Sequence, residues 1–188
     1  MTLIALLIIP IAYLLGSIPS AYIMGRWLKG IDMRDVGDGR IGTSYSFRRI
    51  GFAGGMTVAF LDFGKGVTAV LLAQVLTGEP VMVLLASLAV VVGHNWSVFL
   101  HFQGGKGAAT TYGVLASLIF WQLLIGLITA GIVYFFTHKA GLATGFMFGT
   151  LPLVLWIYGA SILVVFLPAF LSLPMLLKHH LAKSPRAT

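Results

Sequence analysis

Residues 81–99, 108–136 and 140–177 contain no Asp, Glu, Lys or Arg. Runs of that kind admit few structures. About 20 apolar residues in a helix match the hydrocarbon core of a bilayer. There every backbone N–H and C=O must find its partner inside the protein, which a helix achieves by itself. Residues 2–25 and 54–77 are two further apolar runs. Only 9% of the chain is charged, against about 25% in soluble domains, and its mean hydropathy is +0.99. The expected fold is therefore all-α: a polytopic helical bundle embedded in a membrane, with residues 1–188 as a single domain.

The number of helices depends on two runs. Residues 108–136 fit one long helix, or two short ones that break near Phe120-Trp121-Gln122. Residues 140–177 exceed one comfortable span. Seven helices are expected if Lys139 lies inside, and five if it lies outside. Either count puts the N-terminus outside and the C-terminus in the cytoplasm. The stretch 26–53 carries Arg26, Lys29, Arg34, Arg40, Arg48 and Arg49, and such clusters stay on the cytoplasmic side. Residues 1–25 lack the basic start of a cleaved signal and read as a retained helix. The net charge of +7 would suggest nucleic acid in a soluble protein. Here it is explained by the positive-inside bias and by anionic headgroups, so membrane lipids are expected partners and nucleic acid is not. The absence of cysteine excludes disulfides and thiolate catalysis.

Several apolar runs are interrupted in ways that carry information. Pro10 and Pro19 predict kinks in the first span, and Gly16-Ser17-Ile18-Pro19-Ser20 is small and polar. Asp62 and Lys65 sit at i and i+3 within an apolar run. Buried charges in a membrane helix are paired or functional, and both readings stand for these two. Gly64 and Gly66 beside them allow another backbone to approach closely. Glu79-Pro80 has no basic neighbour and reads as an outer turn, which returns 81–99 to the side of the Arg-rich stretch.

Residues 93–110 follow, Gly-His-Asn-Trp-Ser-Val-Phe-Leu-His-Phe-Gln-Gly-Gly-Lys-Gly-Ala-Ala-Thr. Glycines let backbone N–H groups converge without Cβ interference, the way a loop cradles an oxyanion. Lys106 adds a positive charge among Gly104, Gly105 and Gly107. From Ala108 the chain turns apolar, predicting a helix whose N-terminus favours an anion. The expectation is a phosphate site at a membrane face; a flexible cytoplasmic turn is the alternative.

Gly37-Asp38-Gly39-Arg40-Ile41-Gly42 matches G-x-G-x-x-G literally. A dinucleotide fold needs a preceding strand and a βαβ unit, which this chain has no room for. The segment is read instead as a membrane-proximal turn, with Ser44 among its hydroxyls and Arg48 suited to bidentate phosphate contact. His94 and His101 have no Cys or carboxylate beside them in sequence, so no metal site is expected; hydrogen bonding within the loop is the reading for them. Trp96, Phe99 and Phe102 fit an aromatic belt. No cofactor is expected.

Five ordered blocks now coincide: Gly16–Ser20, Asp32-Met33-Arg34, the turn at 37–48, Asp62-Phe63-Gly64-Lys65-Gly66 and 93–110. In order and spacing they resemble the acyl-phosphate:glycerol-3-phosphate acyltransferases, the PlsY type, over most of residues 12–113. The resemblance implies a seven-helix enzyme of the bacterial inner membrane, with its active face cytoplasmic and its site formed by loops 26–53 and 93–107. It implies transfer of a fatty acyl group from acyl phosphate to glycerol 3-phosphate, giving lysophosphatidate and inorganic phosphate, with a monomer as the expected unit. By position it implies catalytic roles for Lys106, Arg48, Ser44 and His179. It implies phosphate contacts for Gly104, Gly105, Gly107, Arg40 and Thr144, and supporting roles for Asp62, Lys65 and His94.

The chain departs from the family turn Gly-Ser-Gly-Asn-x-Gly-[Ala/Thr]-Thr-Asn. Asp38 replaces Ser, Arg40 and Tyr45 replace the two Asn, and Ser44 replaces Thr. A later Ser-Leu-x-Ser segment survives as Gly141-Leu142-Ala143-Thr144, and the C-terminal His-x-x-Asn only as His179 or His180. These departures keep a second reading open, a non-catalytic paralogue that binds a phosphorylated lipid or metabolite. A small transporter is a third, prompted by the charged pair, although no inverted repeat is visible.

Overall fold

The computed structural model of the chain describes residues 3–35 and 41–181. Among these residues every regular element is a helix: α1 (Leu3–Ser17), α2 (Ser20–Lys29), α3 (Thr43–Arg49), α4 (Gly51–Thr77), α5 (Pro80–Asn95), a 3-10 turn (Val98–Leu100), α6 (Ala108–Thr137), α7 (Ala140–Ile157) and α8 (Ile162–Leu181). Five stretches are long and apolar enough to cross a membrane, and Ile162–Lys178 is a shorter apolar helix. Ile119 lies outside helical geometry (φ −143°, ψ 49°) and divides α6 in two, next to the point where the two-helix alternative puts the break. With α1–α2 taken as one broken helix, the apolar helices among the described residues number seven, the larger of the two expected counts.

The chain forms two compact units. Residues 1–114 and 174–188 make the first, and residues 115–173 the second. In the second, Met147 and Leu151 close on Gly126, and the Thr129 and Thr150 hydroxyls meet at 3.2 Å.

The first unit carries the site, and its helices pack backbone against backbone. A Cβ on Gly16 would strike the Val90 carbonyl, and one on Gly93 would strike that of Tyr13. These two glycines therefore set the approach of α1 to α5. Gly66 and Gly113 do the same for α4 and α6, against the carbonyls of Thr110 and Phe63. Close approach through small residues is how membrane helices associate where burial of apolar surface gives no advantage over lipid. Gly66 meets the sequence expectation and Gly64 does not. Nothing lies within 4 Å of a Cβ on Gly64, because it faces away from the packed side of α4.

Proline shapes the first span. Pro19 has no N–H and disfavours helical geometry at Ile18, so α1 ends at Ser17 and α2 begins at Ser20. Pro10 is accommodated inside α1. The carbonyls released at the break are taken up by side chains. Lys65 Nζ donates to the Ile18 carbonyl at 3.2 Å, and Ser97 Oγ donates to that of Ser17. Unpaired carbonyls at membrane depth would be expensive, and this is the kind of compensation that makes a broken helix tolerable.

The stretch 26–53 is more ordered than its composition suggests. α2 runs on to Lys29 and ends on Gly30, which is left-handed (φ 65°). Asp32 is buried and accepts from Arg34 three times: backbone N–H at 2.9 Å, Nε at 3.0 Å and Nη2 at 2.8 Å. Arg26 Nη2 adds a fourth donor at 3.1 Å. These Arg34 hydrogen bonds hold the Asp32 carboxyl far below the ordinary carboxylate range despite its burial, and Asp32 in turn raises Arg34. The Arg34 guanidinium also lies 5.2 Å from the centre of the Tyr22 ring. Two of the six basic residues of this stretch, Arg26 and Arg34, are thus part of a folded cap on α2.

Candidate phosphate-handling site

The Gly-Gly-Lys-Gly loop has a floor, and the floor explains its glycines. α5 ends in His94 and Asn95. A Cβ on Gly104 would strike the His94 carbonyl, and one on Gly105 would strike His94 Nε2. One on Gly107 would come 2.5 Å from Asn95 Oδ1. Gly107 also has φ 84°, where side chains are strained. Lys106 is the residue of the four that is exposed. The motif is therefore three close approaches to α5 with one side chain directed outward. The Gly105 N–H donates to the His94 carbonyl at 3.2 Å and fastens the loop. The turn leading into it is forced, with His101 and Phe102 at φ 52° and 61°.

A cleft of about 260 Å³, counting the part open to solvent, lies beside this loop. Its walls come from the α1–α2 break (Ser17 to Ala21), from Asp62 and Lys65 of α4, from His94, from Ser97 and Leu100, and from Gly104 and Gly105. Ile41 and Gly42 close it from the Arg-rich stretch. Gly42 faces Gly105, with 3.8 Å between a Cβ on the first and the Cα of the second. The two polar stretches singled out in the sequence thus meet at a pair of glycines.

Three ionisable groups are buried at the base of the cleft. Lys65 Nζ lies 3.0 Å from Asp62 Oδ1, and the side chains are 6% and 2% exposed. His94 Nδ1 approaches the same oxygen at 3.6 Å, beyond hydrogen-bond range. Lys65 has a second partner in the Ile18 carbonyl. A single ion pair therefore links α4 to the helix break and stands next to the residue supporting the loop. The intrahelical pairing expected from the spacing is present, and it has a tertiary partner that spacing alone does not reveal.

The structure brings Asp62, Lys65, His94, Gly104 and Gly105 together around the cleft. Ser44 and Arg48 are exposed on α3, and the Arg48 guanidinium lies 5.9 Å from the Tyr45 ring centre. Thr144 belongs to the second unit, where its hydroxyl donates to the Ala140 carbonyl at 2.9 Å. Arg40 and Asp38 lie outside the described residues, as does the side chain of His179. The end of α8 touches both flanks of the loop. The Thr111 hydroxyl donates to Met175 Sδ at 3.5 Å, and Lys178 Nζ lies 5.4 Å from the Trp96 ring centre.

Sequence reasoning gave no role to Ser97, Asn95 or Thr110, all of which are buried here. All three lay inside the stretch already singled out, 93–110. Their signal was a polar residue that neither charge nor motif required.

A multi-span bundle of apolar helices, with a Gly-Gly-Lys-Gly loop packed on a helix end beside a cleft that takes in a buried ion pair, defines an integral membrane protein. The chain belongs to the glycerol-3-phosphate acyltransferase family, whose profile matches residues 6–184. Glycerol-3-phosphate acyltransferase 2 of Moorella thermoacetica is 51% identical over 126 residues, which span 65% of this chain and 64% of that protein. The glycerol-3-phosphate acyltransferase of Parasynechococcus marenigrum is 39% identical over 178 residues, 93% of this chain and 82% of that protein. Among solved structures, that of PlsY (YgiH), an integral membrane glycerol 3-phosphate acyltransferase in its glycerol 3-phosphate form, superposes with a TM-score of 0.83 at 32% identity. It covers 94% of this chain and 88% of that one. Its lysophosphatidic acid form gives a TM-score of 0.82. These relatives favour a membrane acyltransferase over the non-catalytic alternative.

Proposed function

We propose that this chain transfers a fatty acyl group from acyl phosphate to glycerol 3-phosphate. The observation that carries the proposal is the Gly-Gly-Lys-Gly loop, held on His94 and Asn95 beside a cleft that also takes in Asp62 and Lys65. The solved PlsY structures, one in a glycerol 3-phosphate form and one in a lysophosphatidic acid form, support the acceptor and the product. In the reaction the acceptor hydroxyl oxygen attacks the acyl carbonyl carbon. The bond from that carbon to the phosphate oxygen breaks, and phosphate leaves with the electron pair. The hydroxyl proton ends on the released phosphate, so the balance needs no cofactor. Phosphate is a good leaving group, and the work of the protein is to position two anions and to stabilise charge.

In this reading Lys106 and the amides of the Gly104, Gly105 and Gly107 loop hold a phosphate, with the Gly105 amide fastening the loop to α5. Arg48 and Arg40 supply the second cationic set. Ser44 is a polar contact, and Asp62, Lys65 and His94 keep the scaffold in place. Loops 26–53 and 93–107 form the site on the cytoplasmic face of a bacterial inner membrane, with the N-terminus outside and the C-terminus inside. The basic residues of 26–53 support that orientation. The protein works as a monomer in contact with membrane lipid.

The test is phosphate release from palmitoyl phosphate by the purified protein in lipid, with and without glycerol 3-phosphate. Release is expected to depend on the acceptor, and to fall by roughly 100-fold or more in Lys106→Ala, the scale of losing one charge-stabilising donor. Ordinary turnover by a folded Lys106→Ala variant would refute the assignment.

A further inference from the structure

We infer that Asn95 is a positioning residue of the phosphate loop, its carboxamide fixing the loop backbone from below; the inference rests on the phosphate-loop reading given above. Asn95 is fully buried at the last position of α5. Neither of its carboxamide atoms has a hydrogen-bond partner among the described residues. Buried amides are nearly always partnered, and one left unmet opposes folding. Its neighbours do not call for an amide. Val91, one turn earlier, packs at the same spot, with Cγ1 3.2 Å from a Cβ on Gly107.

The carboxamide is aimed at one place. Asn95 Oδ1 lies against Gly107, the residue that directly precedes the 30-residue helix α6. The first amides of a helix have no intrahelical carbonyl and point outward from its end. Asn95 therefore sits beneath the point where the anion-directed N–H groups begin. A carboxamide both donates and accepts. It can engage the backbone around Gly107 directly or through one water, and either route holds those amides at a fixed angle to a bound phosphate. His94 supports the preceding residues in the same way, under Gly104 and Gly105. The last two residues of α5 thus support the three glycines, by backbone under Gly104 and by side chain under Gly105 and Gly107. His94 has one ring nitrogen without a hydrogen-bond partner, turned toward Asp62, whereas both carboxamide atoms of Asn95 are unspent and lie at the loop.

Asn95→Leu keeps the branched outline and removes the hydrogen bonds. With the full-length protein in lipid, binding of inorganic phosphate is followed by 31P NMR, alongside KM and kcat for acyl transfer. Phosphate affinity is expected to fall about tenfold, the equivalent of one hydrogen bond. KM for glycerol 3-phosphate should rise in parallel, kcat should stay within about twofold, and thermal stability should hold or increase because an apolar site has gained an apolar side chain. Unchanged phosphate affinity in Asn95→Leu overturns the inference. Asn95→Ser keeps a donor and an acceptor, and serves if the Leu variant does not fold. Its affinity is expected within about threefold of the parent, and a loss of tenfold or more would mean that only shape matters. A parent protein that binds phosphate in an Asn95-dependent way but makes no lysophosphatidate refutes the proposed reaction and leaves the inference standing. One that binds no phosphate refutes both.

Discussion

Neutralising Asp62 tests whether the buried pair holds the first unit together. Asp62→Asn keeps the shape of the side chain and removes its charge. Lys65, 6% exposed in the middle of the 27-residue α4, then loses the carboxylate at 3.0 Å. At that distance the Coulomb attraction is about 5.5 kcal/mol for an effective dielectric constant near 20. The amide oxygen of the new Asn can still accept from Lys65, a bond to a charged donor that offsets about 1.5–3 kcal/mol, whereas the bond from Lys65 to the Ile18 carbonyl is the same in both proteins. The net loss should be about 3 kcal/mol, at the low end of the range for breaking a buried ion pair. Lys65→Met removes the cation and leaves Asp62 buried without its partner, while the Ile18 carbonyl keeps the Ser20 N–H at 3.1 Å, so it should cost about as much. The double variant contains neither charge and should be more stable than the sum of the two losses by about 2–3 kcal/mol. The assay is equilibrium unfolding of all four proteins in mixed micelles, read as a double-mutant cycle. Additive losses, or an Asp62→Asn variant within about 0.5 kcal/mol of the parent, would show that the pair is solvated and that the argument from burial is wrong.

Two further perturbations separate packing from chemistry. Gly104→Ala places a methyl group against the His94 backbone carbonyl, which has little freedom to yield. It should lower acyl transfer by roughly 100-fold, the scale for misplacing a catalytic loop by about 1 Å, with Lys106 still present. Gly64→Ala has nothing within 4 Å of the new methyl. It should leave activity unchanged and stabilise α4 by about 0.5–1 kcal/mol, readable as a small rise in Tm; a loss of stability would mean a hidden contact. Asp32→Asn tests the cap on α2. The Asp32 carboxyl is held below its ordinary value by Arg34, so its contribution is fully present above the unfolded carboxylate pKa of about 4 and is lost as pH falls through the lower folded value. The variant should therefore be less stable than the parent by about 1.5–3 kcal/mol at pH 7, with the gap narrowing only in strong acid. A gap that already closes between pH 7 and 5 would refute the assignment.

How much of this was legible in the sequence follows from the physics of each feature. Helix class and number were readable because the bilayer imposes a length and a polarity on each span, and a run without charge reports both. The break at Pro19 and the division of α6 near Phe120 were readable for the same kind of reason, since backbone geometry and span length are local. What satisfies a break is not local. The Ile18 carbonyl is met by Lys65 and the Ser17 carbonyl by Ser97, 47 and 80 positions away, and nothing in the period of the sequence links them. Asp32 shows the same limit from the other side. Its neighbours Arg26 and Arg34 read only as members of a basic cytoplasmic stretch until the fold turns both onto one buried carboxylate.

The glycines of the loop show where a correct motif can carry an incomplete reason. Read from sequence, Gly104, Gly105 and Gly107 exist to expose amides to an anion. In the structure each is also required by contact with the end of α5, and one of the amides is used to fasten the loop there. The two demands are compatible only because they fall on different atoms. The missing Cβ lets the loop lie flat on His94 and Asn95. A loop lying flat on a rigid helix end can then hold Lys106 and the remaining donors at a fixed angle without spending binding energy to order them. On that argument the sensitivity of the site should follow the floor as much as the loop. His94 and Asn95, which carry no catalytic chemistry of their own, become the positions where a conservative substitution changes phosphate affinity most.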